Sequence, residues 1–268
     1  MIFSDEKPVL NDKIPDRFSG KFIPERIEGL HEKNNEKPRE KSPGERGLEE
    51  GIRLFHKNQW DDALKELLRV GTEGFSATEQ VELAYYRGLC CAKLDREDAP
   101  IYLEQVVADG EDLLRVYQCR MALAYIYIKT GKVRMAEFEL KRLKRAGFES
   151  VQLYNTMAYA SHIQNRNREA VEFYEKALDL DRNNATAQNS LGYILADTEM
   201  NIKKGMQLCI RAVEQYPDNP AYLDSLGWAQ YKSGEMPEAR DLLKRAMKLA
   251  PQETEIKKHF MIVTGEDA

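Results

Sequence analysis

Residues 189–197 read NSLGYILAD and residues 211–219 read RAVEQYPDN; the same phrases return as DSLGWAQYKSG at 224–234 and RAMKLAPQ at 245–252. Leu191-Gly192 overlays Leu226-Gly227, Gly205 overlays Ala239, Ala212 overlays Ala246, and Pro217 overlays Pro251. One unit is therefore written twice between Ala185 and Glu253, at a period of about 34 residues. A period of this length marks a supersecondary unit that cannot bury its apolar face alone and must stack on its own copies.

Counting backward from the two strong copies places units at 220–253, 185–219, 151–184, 117–150, 81–116 and 44–80. The 185 unit carries one extra residue in the turn DTEMN between its helices. Small residues recur at Gly51, Gly88, Ala124, Ala158, Gly192 and Gly227, and again at Ala63, Ala99, Ala136, Ala170, Gly205 and Ala239. Two helices approach closely only where side chains are small, so these positions mark the crossing of each pair. Leu67, Leu103, Leu140, Tyr174, Leu208 and Leu243 are the bulky partners beside it. The pattern weakens toward the N-terminus, where Glu50 and Arg87 stand in its leucine position; the first hairpin is either an edge repeat or a divergent helix pair. Residues 254–263 put Ile256, Phe260 and Val263 on one helical face, as expected of a helix that covers the last hairpin.

The large residue, Leu-Gly, aromatic, Ala, bulky residue and Pro of the last two units resemble the tetratricopeptide repeat family, in its bacterial type. The resemblance implies an all-α protein: a right-handed α-solenoid of about six helical hairpins with a C-terminal capping helix, whose role is to hold another polypeptide. Ahead of it, residues 1–43 are expected to be a disordered polar tail. Pro8, Pro15, Pro24, Pro38 and Pro43 interrupt any helix there. Phe18–Ile27 (FSGKFIPERI) is a more apolar patch, either an incidental part of the tail or a docking motif that could fold back into the groove.

The chain has 268 residues, 42% hydrophobic and 32% charged, with a formal net charge of −5. That charge gives no basis for nucleic-acid binding, which is driven by basic contacts to phosphate, nor for an anionic membrane surface. No window is apolar enough to span a bilayer and the opening MIFSDEKPVLNDK has no signal-peptide core, so a cytoplasmic location without membrane insertion is expected. The four cysteines lack CxxC spacing, and Cys91 falls on an inward helical face, so buried thiols are expected and a metal site is not. No phosphate loop, HExxH or nucleophile elbow occurs, and His31, His56, His162 and His259 are scattered. The expected protein is not an enzyme and carries no cofactor or metal. Asp179–Asn184 mimics the start of a calcium loop but has Asn184 and Ser190 where Gly and Glu are required, so a turn is expected.

In the family the first helix of each hairpin lines the concave surface, which implies a groove row at the residue after the small position. Its last four members are Tyr125, Tyr159, Tyr193 and Trp228. Flanking columns contribute Gln152, Asn155, Asn189, Asp224, His162 and Tyr231. Two readings of the row stand, ligand contact or packing against the adjacent helix. Asn155 and Asn189 favour the groove, since an amide can pair a peptide backbone through donor and acceptor. The family's carboxylate clamp is absent, because Glu45, Glu82, Gln118, Gln152, Thr186 and Ala221 occupy the positions where basic residues would be needed. The expected function is a scaffold or adaptor that binds an extended or helical peptide segment, with a monomer as the expected state. The alternative is a self-associating structural component of a bacterial envelope, secretion or motility assembly.

Overall fold

The computed structural model describes residues 41–265. The expected tail, apart from its last three residues, and the Phe18–Ile27 patch lie outside the described residues. All regular structure among the described residues is helical, and they divide into two compact units, 41–122 and 123–265.

The first unit holds α1 (Pro43–His56), α2 (Trp60–Arg69), α3 (Ala77–Lys93), α4 (Ala99–Asp109) and the start of α5 (Leu113–Lys129). Serine starts the first helix of each hairpin. Ser42 and Glu45 form a capping box on α1, and Ser76 and Glu79 form one on α3, where Glu79 N–H donates to Ser76 Oγ at 3.3 Å. Each box satisfies two amide donors that the first turn leaves without partners. The α1/α2 and α3/α4 pairs cross at glycine, where a Cβ on Gly51 would lie 2.4 Å from Leu67 and one on Gly88 2.7 Å from Leu103. Arg87, which breaks the leucine pattern, has a local cause. Its guanidinium reaches the end of α2 and donates to the carbonyls of Leu67 at 2.7 Å and Val70 at 3.5 Å. Glu50 pairs with Arg53 on the solvent side of α1.

The second unit holds the rest of α5, then α6 (Val133–Arg145), α7 (Val151–His162), α8 (Asn167–Leu180), α9 (Ala185–Asp197), α10 (Ile202–Gln215), α11 (Pro220–Ser233), α12 (Met236–Leu249) and α13 (Thr254–Thr264). Asn184 caps α9 by accepting from Ala187 N–H at 3.0 Å, so the stretch that mimicked a calcium loop is a helix start. Asn219 caps α11 in the same way, ahead of Pro220 at the first helical position. Ala158 and Ala170 are fully buried at the α7/α8 crossing. Where α9 meets α10 glycine stands on both sides: a Cβ on Gly192 would sit 2.7 Å from the Gly205 carbonyl oxygen, and one on Gly205 2.6 Å from that of Gly192.

Within each hairpin the turn between its two helices contains one left-handed residue. These are Asn58, Asp95, Gly131, Asn165, Glu199 and Gly234, with φ between 53° and 88°. The same backbone device recurs through a sequence that has lost most of its side-chain similarity at the N-terminal end. All four cysteines are buried and unpaired, and burial pushes each thiol up to about 12.

Candidate functional site

In the second unit α9 lies beside α11, α7 meets α9 through the rings of His162 and Tyr193, and α13 packs on α11 and α12 and touches α9 at Tyr193. Ile256, Phe260 and Val263 anchor α13, with Ile256 against Leu223 and Ala246, and Phe260 and Val263 in the cluster of Trp228, Ala239 and Leu243. That stripe also carries His259 inward, because it lies three residues after Ile256 and one before Phe260. His259 Nδ1 meets the Asp224 carboxylate at 2.9 Å, and its ring stacks on Trp228 with centroids 4.2 Å apart and planes 16° from parallel. Both members of the pair are buried, Asp224 at 6% and His259 at 5% exposed.

The expected row is therefore divided. Trp228, 8% exposed, is packed under α13 and not open to a ligand; its Nε1 donates to Asp197 Oδ1 at 2.9 Å, and its ring is flanked by Tyr231 at 5.1 Å. Asp224 is likewise taken up by His259. The cause is the C-terminal helix, which supplies from within the chain the partners that a ligand was expected to bring. Tyr193 stands at the boundary. It is half-buried, its ring meets His162 edge-on at 6.2 Å and His259 at 6.0 Å, and its hydroxyl donates to Glu255 Oε1 at 3.3 Å. Burial, and after it the carboxylates of Glu255, Asp197 and Asp224, push that phenol well above its ordinary range.

Away from α13, Tyr159, Gln152, Asn155 and His162 on α7, and Tyr125 on α5, are half-buried. His162 Nδ1 lies 2.8 Å from Asn167 Oδ1, which fixes its ring beside Tyr193. Asn155 donates through Nδ2 to Asn184 Oδ1 at 3.3 Å, while its own Oδ1 is buried without a partner. Asn189, one hairpin further on and 8% exposed, has the same unanswered Oδ1. A buried acceptor without a donor costs about 1–3 kcal/mol. The two stand at equivalent places in consecutive hairpins.

His259, Glu255 and Asp197 complete the arrangement and were not singled out from sequence. The spacing Ile256, His259, Phe260, Val263 places His259 on the buried face. Nothing local marks Asp197, whose role depends on an indole from the next hairpin. Among the described residues no group of three histidines, cysteines or carboxylates could hold a metal ion, and no helix is long and apolar enough to cross a membrane.

Comparison with known proteins bears on the repeats and on the fold. A family model described as TPR repeat matches residues 158–198, and one described as Tetratricopeptide repeat matches residues 208–254. The TPR repeat-containing protein PA4667 of Pseudomonas aeruginosa is 40% identical over 68 residues, 25% of this chain and 12% of that protein. The human Mitochondrial import receptor subunit TOM70 is 25% identical over 193 residues, 66% of this chain and 30% of the receptor. The chain thus spans less than a third of the length of either relative. The crystal structure of YrrB, titled a TPR protein with an unusual peptide-binding site, superposes with a TM-score of 0.52 at 15% identity, over 78% of this chain and 96% of that one. That likeness concerns the fold alone.

Proposed function

Residues 158–198 and 208–254 make this chain a tetratricopeptide-repeat protein, and we propose that it is a non-catalytic scaffold whose second unit holds a segment of another protein along α7 and α9. The observation that carries the reading is the half-buried row of Gln152, Asn155, Tyr159 and His162 on α7, continued by Tyr193 on α9, whose ring meets that of His162 at 6.2 Å. A peptide backbone can pair with the half-buried amides of Gln152 and Asn155 on this row. Tyr159, His162 and Tyr193 add ring surface beside them, and Gln152 and Tyr125 extend the face. The similarity to PA4667, a TPR repeat-containing protein, and to TOM70, an import receptor subunit, supports protein binding as the general task. Trp228, Asp224 and Tyr231 act in this reading through α13, by closing the end of the face.

Each well-buried aromatic contact contributes on the order of 1–2 kcal/mol after losses, so three or four give affinities of about micromolar. Tyr159→Ala combined with Asn155→Ala should therefore reduce capture of a specific partner by roughly tenfold or more. Circular dichroism and the melting midpoint should stay close to wild type. Quantitative mass spectrometry of proteins retained from the source cell by the two forms provides the measurement. Equal recovery by both, or a variant that has lost its fold in step with its binding, would remove these side chains from the binding surface.

A further inference from the structure

We propose that the outer face of α6 seats on an anionic bilayer surface, a task separate from holding a protein segment and carried by different residues. Arg134, Met135, Phe138, Lys141, Arg142 and Arg145 share that face: at about 100° per residue they fall within roughly a third of the helix circumference. All six are exposed, Met135 at 45% and Phe138 at 55%. The two acids of the helix are turned away from it. Glu139 is buried, and Glu137 is held by Arg166 and by Gln164 Nε2 at 2.9 Å. Of the four cations on the face, only Lys141 pairs with an acid among the described residues, Glu137 at 3.7 Å. The net charge of −5, which argues against an anionic surface for the chain as a whole, averages over this face and hides it.

Helix stability does not account for the pattern. Arg142 and Arg145 stand in the last turn, where cations complement the helix dipole, but Lys132 and Arg134 stand at the opposite end, where they oppose it and where the first turn holds no acid. Packing does not account for Phe138 either. The Arg142 guanidinium lies 5.2 Å from its ring centroid, and more than half of the residue stays exposed.

The charge sets the sign of what covers this face, and the shape sets its class. Side chains standing out along one helix form a ridge, which has no walls to grip an extended peptide but can lie flat on a plane. Lipid phosphates then meet the cations, while Met135 and Phe138 enter the boundary between head groups and acyl chains, where apolar and aromatic side chains are favoured. Because α6 is the second helix of its hairpin and α7 and α9 are first helices, seating α6 on a membrane leaves Tyr159 and its neighbours open to a protein partner.

The test is co-sedimentation of the whole chain with vesicles of phosphatidylglycerol and phosphatidylcholine in equal parts, beside vesicles of phosphatidylcholine alone. Binding to the mixed vesicles that weakens with added salt, and little binding to the neutral ones, is the expected result. Arg142→Gln/Arg145→Gln should lower the partition coefficient about tenfold, and Phe138→Ala about threefold. Lys203→Gln/Lys248→Gln removes the same charge from exposed places on α10 and α12 and should leave binding within about twofold of wild type. Since every replaced side chain is exposed, the variants should keep the wild-type melting midpoint. A chain that sediments with neither vesicle, or equally with both, would overturn the proposal, as would equal losses in the two charge variants. Failure on vesicles, together with an acidic protein retained from the source cell by wild type and lost by Arg142→Gln/Arg145→Gln, would also overturn it and give the face to a protein.

Discussion

Gly205→Leu is expected to separate α9 from α10 and to cost the protein on the order of 3 kcal/mol or more. A Cβ there would lie 2.6 Å from the Gly192 carbonyl oxygen and 3.0 Å from the Ala196 amide nitrogen. Those atoms belong to a helix backbone, which cannot swing aside as a side-chain end can. The gain in helix propensity from removing an interior glycine, about 1 kcal/mol, is too small to offset the loss. Denaturant unfolding should show a lower midpoint for the transition that reports residues 123–265. A solvent-facing change on the same helix, Gln207→Leu, should leave the midpoint within about 0.5 kcal/mol of wild type. A Gly205→Leu protein as stable as its parent would show that the two helices do not cross at these residues.

His259→Ala is expected to have an effect of similar size for a different reason. It removes the donor that meets Asp224 at 2.9 Å and leaves a carboxylate 6% exposed with no other hydrogen-bond donor among the described residues. Breaking one side of a buried pair costs about 3–5 kcal/mol, most of it the cost of the uncompensated charge. Trp228 loses its stacked ring at the same time, so its fluorescence should shift to the red as α13 loosens and water reaches the indole. Removing both partners in His259→Ala/Asp224→Ala should recover part of the loss, since no isolated charge then remains buried. Additive losses in the double variant would mean that the two side chains do not depend on each other.

The repeat register was legible because it is enforced at atoms, not by general hydrophobicity. Gly192 and Gly205 stand where backbones nearly touch, so residue type alone reports the place. Ile256, Phe260 and Val263 likewise announced a covering helix. The destination of α13 was not legible. Its apolar stripe says that one face is buried, but whether it reaches Tyr193 is decided by the fit against α11 and α12, which no local pattern records. Trp228 and Asp224 therefore read as open groove residues while the chain itself covers them. Arg87 was illegible for a related reason, since it departs from the leucine of the pattern to serve the end of α2, twenty residues earlier in the chain at Leu67.

The measurement that bears most directly on a protein-holding face is site-specific photocross-linking in the source cell, with benzoylphenylalanine placed at Tyr159 and, separately, at Glu172 on the exposed side of α8. Light-dependent adducts with a distinct protein at 159, and none with it at 172, are the expected result. Adducts with the same protein at both positions, or at 172 alone, would contradict the assignment of the face to α7 and α9.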